Sequence, residues 1–395
     1  ANTYIGIFII MFSVISSGMV AVMTQNIGAG RPGVAYQARQ LGLAFNAVLG
    51  VIMSLFLSLG AGTILSGVGV ADALMQPAKT YLQIVGGFCI LNALIPICSS
   101  YLRAFGFSKE PLYASIIGNV INFCLNAFFL FVLHKGVAGV ATATVISRII
   151  NLVIVVLLGA VLVKAKQHPE RESNRAVMGQ IIRIGLPSAC ETAIYNVSMT
   201  LVIRFLNQMD AQGLNVTARS YTMQITNFSY CVGAALAQAN AIMTGWHIGA
   251  KEYDACDRGT KKAAVIGVIV AVILETVFTL CSGWIMQLFS KDPQMVSLVG
   301  KLLAIDIVLE IGRVTNLVYG QALKTSGDAV FPVVMGACFM ILCSVGGTYL
   351  FGIRLGLLAV GAYIGMTGDE CVRAVGMYLR WKSGKWKEKG LVKSR

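Results

Sequence analysis

Apolar residues in this chain come in long blocks, not in the short alternations of strands or the one-sided stripes of soluble helices. The blocks fall at 3–26, 41–66, 81–102, 112–133, 137–163, 182–206, 216–245, 263–289, 298–322, 330–353 and 355–379. Each matches the roughly 20 helical residues that cross a hydrocarbon layer of about 30 Å. The pattern predicts eleven membrane-spanning helices. Barrel strands of about ten alternating residues fit none of the blocks. The first block is too long for a signal peptide and has no basic stretch before it.

Composition sharpens this. The 395 residues are 56% hydrophobic and 12% charged, with a mean hydropathy of +0.75. Soluble domains carry about 25% charged residues, so an ordinary soluble enzyme, a disordered chain and a small disulfide scaffold are excluded. The net charge of +14 would suit nucleic acid or a membrane surface, and its distribution decides. Twenty-one Lys and Arg follow the odd-numbered spans or lie in the tail, among them Arg31, Arg103, Lys166, Arg171, Lys261, Lys324 and Lys385. Six lie on the other side (Lys79, Lys135, Arg219, Lys291, Lys301, Arg354), and Arg148, Arg204, Arg313 and Arg373 fall inside spans. Basic residues concentrate on the cytoplasmic side of membrane proteins, so the excess charge is topological and no nucleic-acid partner is expected. The tail Trp381–Arg395 is expected to lie along anionic headgroups.

The chain also repeats itself. Ile27-Gly28-Ala29 recurs as Ile248-Gly249-Ala250, Leu102-Arg103 as Leu323-Lys324, and Gly136 with Val140 as Gly356 with Val360, at offsets of 221, 221 and 220. The second copy has six spans, an even number, so the copies share one topology about an axis normal to the membrane. The span at 182–206 has no counterpart after residue 1. The expectation is a chain lacking its opening helix, roughly 40 residues with its flanks, and twelve helices with both ends cytoplasmic in the intact protein. The organisation expected is an N-terminal lobe at 1–163, a cytoplasmic linker at 164–181, a C-terminal lobe at 182–379 and a basic tail at 380–395.

Several motifs carry a family resemblance. Gln25 with Gly28-Ala29-Gly30 resembles the Q-x-x-G-A-G turn of multidrug and toxin extrusion (MATE) transporters. Leu102-Arg103-Ala104-Phe105-Gly106 with Pro111, and Leu323-Lys324-Thr325-Ser326-Gly327-Asp328 with Pro332, are similar to that family's L-R-G/A-x-G-D-x-x-x-P loop. Gly185-Leu186-Pro187-Ser188-Ala189-Cys190-Glu191 resembles the opening of the second lobe in bacterial members. The resemblance implies an all-α polytopic protein of the MOP flippase superfamily with two lobes forming a V-shaped cleft. It implies an exporter that exchanges H⁺ or Na⁺ for organic compounds by alternating access.

Carboxylates inside spans cost about 2.5–3.5 kcal/mol each and mark function by default. The first copy has none; the second has Glu191, Glu275, Asp306, Glu310, Asp369 and Glu370. Glu191, just over a turn past Pro187 with Tyr195 on the same face, is the expected main coupling residue, with Na⁺ at this carboxylate as one form of the coupling. Asp306, Glu310, Arg313 and Asn316 share one helix face, so Glu310 and Asp306 are expected to assist. Here the chain departs from the resemblance: the branch in question has an acidic residue eleven positions before the loop cation, where this chain has Arg313. Asp369, Glu370 and Arg373 read as a structural cluster, and Glu275 stands alone in its span.

Asn119, Asn122 and Asn126 line one face in the first lobe, and Tyr221, Gln224 and Asn227 one in the second. Such amide-aromatic walls suit bulky organic cations, and Tyr195, Arg313 and Asn316 complete the expected cavity. No P-loop motif is present, so the energy source is an ion gradient, no cofactor beyond the coupling ion is expected, and the protein is not an enzyme. The expected setting is the cytoplasmic membrane of a bacterium, with the lipid bilayer and small organic substrates as partners and a monomeric state. A flippase for a lipid-linked or amphiphilic substrate and a non-transporting membrane scaffold are the alternatives.

Overall fold

A computed structural model describes residues 2–67, 72–164, 168–210 and 213–392; Lys166 of the linker and residues 393–395 of the tail lie outside them. Each of the eleven apolar blocks has a helical counterpart, and no strand occurs among the described residues. The main helices are α1 (Asn2–Gly28), α2 (Pro32–Leu59), α3 (Ile90–Ala104), α4 (Lys109–Ala127), α5 (Gly136–Leu162), α6 (Asn174–Met209), α7 (Leu214–Gly249), α8 (Tyr253–Leu280), α9 (Pro293–Ser326), α10 (Val330–Phe339) and α11 (Leu358–Lys382). Several run on into wider, π-type turns: Phe128–Val132 after α4, and Met340–Val345 and Thr348–Arg354 after α10. The stretch leading into α3, Leu74–Gly86, meets it at a bend of 41°.

Local sequence explains the ends. Helix α9 begins at Asp292-Pro293, where the Asp292 side chain accepts from the Gln294 backbone N–H at 3.0 Å and proline occupies the first turn, a position where it forfeits no hydrogen bond. The same helix stops at Gly327, with φ +100°, a left-handed conformation that glycine adopts without steric penalty. Helix α8 starts ten residues before its apolar block because its charged first turns stay helical, with Lys261 and Asp257 paired at 2.6 Å across one turn.

The repeat is structural as well as sequential. Helices α1 and α7 end at Gly28 and Gly249, α2 and α8 begin at Pro32 and Tyr253, and α4 and α10 begin at Lys109 and Val330, each pair 221 positions apart. The turns repeat too: Gly30 at φ +72° matches Lys251 at +63°, and Gly106 at +89° matches Gly327 at +100°.

Two compact units form, Ala1–Ala189 and Cys190–Arg395. The division therefore falls inside α6, somewhat beyond the 182 expected for the second lobe. The linker and the first turns of α6 are tied to the first unit: Arg31 pairs with Glu172 at 2.5 Å, Gln37 donates to Asn174 Oδ1 at 2.6 Å, and Arg171 donates to the Gly33 carbonyl at 2.7 Å. The first unit's core gathers Phe12, Leu57, Leu65, Leu82 and Val85. Buried Asn46 donates to the Ala93 carbonyl at 3.1 Å and the Phe12 carbonyl at 3.4 Å, joining α1, α2 and α3. In the second unit one apolar cluster gathers around Val202, Leu302, Leu303 and Leu309, and another around Val314, Val318, Leu323 and Trp381.

The surface is inverted relative to a soluble protein. Leu59, Phe123, Phe131, Leu280 and Trp284 are exposed, while Thr24, Gln25, Asn46, Asp306 and Glu310 are buried. Such an apolar exterior is stable only against lipid. Helices α2, α5 and α8, together with Lys109–Val132 and Val330–Arg354, are individually long and apolar enough to cross a bilayer. This is an integral membrane protein.

The start of the tail is anchored to the second unit, while Lys382, Lys385, Lys387 and Lys389 stay exposed. Trp386 is buried and stacks on Trp381 at 4.1 Å between ring centroids. The Trp381 indole donates to Asp257 at 2.9 Å, and Arg380 pairs with Asp328 at 2.7 Å. The two indoles are part of the apolar cluster that also holds Cys256 and Ala264 of α8 and Val318 and Ala322 of α9.

Candidate functional site

The second unit has its polar residues in the middle of α9. Asp306 lies thirteen residues past Pro293, about 20 Å along the helix axis, and Glu310 and Arg313 follow it, between the last residue of the first apolar cluster on this helix, Leu309, and the first of the second, Val314. Helices α7, α8 and α11 all pack against α9. The approach of α11 is close: a Cβ at Gly312 would lie 2.8 Å from the Cys371 backbone nitrogen, so the charged faces of the two helices are brought within bonding reach.

Those faces form one ionic network. Arg313 bonds Glu310 and reaches Glu370 at 3.7 Å. Arg373 bonds Glu370 at 3.0 Å and Asp369 at 2.7 Å. Asn316 donates to Glu370 at 3.0 Å, and the Ser344 hydroxyl donates to Asp369 at 2.9 Å. Buried carboxylates persist only when paired or hydrogen-bonded, and Asp369, Glu370 and Arg373 meet that requirement.

Glu275 does not. The sequence left it alone in its span, but the structure places it fully buried beside Asp306 and Glu310, with ligand-type oxygens of all three within 4.8 Å of one another. Both Glu275 oxygens, Asp306 Oδ2 and Glu310 Oε2 have no hydrogen-bond partner. The sequence gives no spacing signal for this, because Glu275 arrives from α8 and its neighbours from α9.

A cavity of about 280 Å³ adjoins the network. Tyr195, Arg219, Asn227, Tyr230, Asp306 and Arg313 line it, with Asp369 and Glu370 at its wall. The Arg313 guanidinium sits 6.0 Å from the Tyr230 ring centroid. Of the residues expected to form a cavity, Tyr195, Asn227 and Arg313 come together here. Asn316 is buried in the ionic network instead. Tyr221 packs on Phe289 at 5.3 Å between ring centroids, and Gln224 is exposed; neither lines the cavity. In the first unit Asn126 donates to Asn122 at 3.0 Å and Asn122 to Ser147 at 3.3 Å, while Asn119 is exposed. Arg219, Tyr230 and Tyr363 are cavity residues that the sequence did not single out.

Glu191 lies apart from the unpaired cluster. Its carboxylate pairs with Lys324 Nζ at 2.6 Å, and its side chain packs beside Gly336 of α10. The charge of the residue ranked first for ion coupling is thus met by a lysine of the repeated loop motif.

The MatE family model matches residues 1–128 and 187–350. The chain belongs to the MatE family. Among its relatives is the uncharacterized transporter YisQ of Bacillus subtilis, 32% identical over 99% of this chain and 87% of that protein. The probable multidrug resistance protein NorM of Thermotoga maritima is 22% identical over 95% of this chain and 82% of its own length. An outward-facing multidrug resistance MATE family transporter of the MOP superfamily superposes with a TM-score of 0.86 at 17% identity, covering 100% of this chain and 87% of that one. MATE membership makes this a membrane transporter of small molecules, a family of carriers and not of enzymes, and weighs against the scaffold reading.

Proposed function

We propose that this MATE protein is a secondary active exporter that exchanges H⁺ or Na⁺ for organic, aromatic compounds by alternating access. One observation carries the reading. Arg313 lines the cavity and at the same time bonds Glu310, whose second oxygen faces the unpaired carboxylates. Neutralising Glu310 or Asp306 with an incoming ion weakens their hold on the guanidinium, and the cavity's charge and shape change with it. Opposite charges are interdependent at such range in a low-dielectric interior, so ion uptake and substrate release share one side chain. Coupling is assigned to Asp306 and Glu310, with the Glu191–Lys324 pair as a second carboxylate that protonation would release.

The cavity offers aromatic faces at Tyr195 and Tyr230 and charges of both signs, which suits amphipathic compounds carrying a charge. The protein is proposed to work as a monomer in a bacterial cytoplasmic membrane, with the ends of α1, α3, α5, α7 and α9 and the tail on the cytoplasmic face.

The test is cationic-dye movement in proteoliposomes under an imposed pH or sodium gradient. Wild type should move dye under one of the two gradients, and Glu310→Gln and Asp306→Asn should lower the rate about tenfold, as loss of a coupling free energy of about 1–3 kcal/mol would. Glu191→Gln, compared in parallel, reports whether the lysine-paired carboxylate also takes part. Dye transport that both α9 variants leave at the wild-type rate would refute the assignment. Flipping of a fluorescent lipid without dye transport would favour the flippase.

A further inference from the structure

Arg219 is a cation of the cavity without a counter-charge. It stands in the second turn of α7, is 6% exposed and lines the cavity wall. The neighbouring guanidiniums are taken: Arg313 and Arg373 bond Glu310, Glu370 and Asp369. Among the described residues Arg219 makes no ion pair. One terminal nitrogen leans on the Met199 sulfur at 3.7 Å, and Nε has no hydrogen-bond partner. A thioether is a weak acceptor, and a buried guanidinium is costly unless paired and hydrogen-bonded. Asp210, the acidic residue nearest in sequence, accepts instead from Leu214 and Asn215. Membrane orientation gives no account of the charge either. Arg219 belongs to the basic minority on the side opposite most Lys and Arg, where the orientation rule asks for few cations.

The cavity is built along this side chain's helix. Arg219, Met223, Thr226, Asn227 and Tyr230 recur at helical spacing on α7 and all line it. The wall therefore runs about 16 Å from Arg219 to Tyr230, and at the Tyr230 end it meets Arg313, already held by carboxylates. A bound molecule thus finds tyrosine and methionine surface along its length and one unclaimed guanidinium at the end. That group presents a planar fork of N–H donors whose geometry matches a carboxylate.

We propose that Arg219 selects substrates that carry a carboxylate, gripping it in the guanidinium fork while an aromatic frame lies against Tyr195 and Tyr230. The inference rests on the exchange reading and narrows its substrate class, from charged amphipathic compounds to aromatic compounds with a free carboxylate. Arg219 supplies selection and not coupling, because it bonds none of the carboxylates of α9 and α11.

The test compares two dyes that differ in one group. Binding of tetramethylrhodamine, which has a free carboxylate, and of its methyl ester is followed by fluorescence anisotropy at neutral pH, with protein in detergent and no gradient. Wild type should hold the free acid about tenfold more tightly than the ester, the scale of one charge-assisted hydrogen-bonded contact. Arg219→Gln should abolish the preference by weakening the acid alone. Arg219→Lys, which keeps the charge and loses the fork, should retain part of it. Arg219→Gln should also melt no lower than wild type, since it removes an uncompensated buried charge. A lower melting temperature with both dyes weakened alike would make Arg219 a structural residue and overturn the proposal. Equal affinities for acid and ester in wild type, or a preference that Arg219→Gln leaves intact, would overturn it as well. Dye bound with this preference but moved by neither gradient counts against the exchange reading alone; dye moved under a gradient without the preference counts against this inference alone.

Discussion

Lys251 holds φ at +63° where the first repeat has Gly30 at +72°. A side chain in that conformation costs about 1–2 kcal/mol per residue, and glycine gives back part of the gain through its freer unfolded chain. Lys251→Gly should therefore stabilise the protein by about 0.5–1 kcal/mol, seen as a higher melting temperature in detergent. A lower one would mean that the lysine side chain contributes more than the turn strain removes. The residue scale also shows what spacing conveys. Asp306, Glu310 and Arg313 were legible because positions four and three apart on one helix share a face. Glu275 and the Glu191–Lys324 pair were not, since their partners lie on other helices at separations that follow no periodicity.

The start of α7 shows a device at the scale of an element. Asp210, in the turn after α6, accepts from the backbone N–H of Leu214 at 2.9 Å and of Asn215 at 3.0 Å, and from the Asn215 side chain. Asn215 Oδ1 in turn accepts from Ala359 N–H at 3.1 Å, tying α7 to α11. Partial burial works to raise the Asp210 pKa, but the Asn215, Leu214 and Gly213 donors outweigh it and hold the carboxyl below its ordinary value. The sign follows: a carboxyl depressed in the folded state stabilises above its unfolded pKa of about 3.9, and the contribution is lost as pH falls through the lower, folded value. Asp210→Ala should cost about 1 kcal/mol at neutral pH, and the difference from wild type should vanish in strong acid. A gap that stays constant down to low pH would assign the effect to packing. Elements as such were the most legible part of the chain, because a bilayer enforces both helix and length. Their ends were less so: charged first turns such as those of α8 stay helical beyond the apolar block, and the widened turns after α4 and α10 leave no mark on hydropathy.

At the scale of the whole molecule the repeat was visible from its constant offset, and the asymmetry between its copies from in-span carboxylates confined to the second; that these carboxylates meet beside a cavity emerges only from packing. Arg313 joins the cavity to the carboxylates, and the consequence is thermodynamic. If occupancy of the carboxylates changes affinity for an organic cation by some factor, the organic cation must change sodium affinity by the same factor. Coupling between sites is typically 1–3 kcal/mol, roughly 5–150-fold. Binding of tetraphenylphosphonium, measured in detergent with and without saturating NaCl, gives one factor; sodium titrations with and without saturating tetraphenylphosphonium give the other. The two should agree, with each ligand weakening the other, as exchange requires. Arg313→Lys retains the positive charge but loses the planar fork that holds Glu310 and spans toward Glu370. It should leave both ligands bound while bringing both factors toward one. Factors that agree in wild type and survive Arg313→Lys unchanged would place the coupling in elements other than this guanidinium, and the cavity and the carboxylates would then be neighbours without being linked through it.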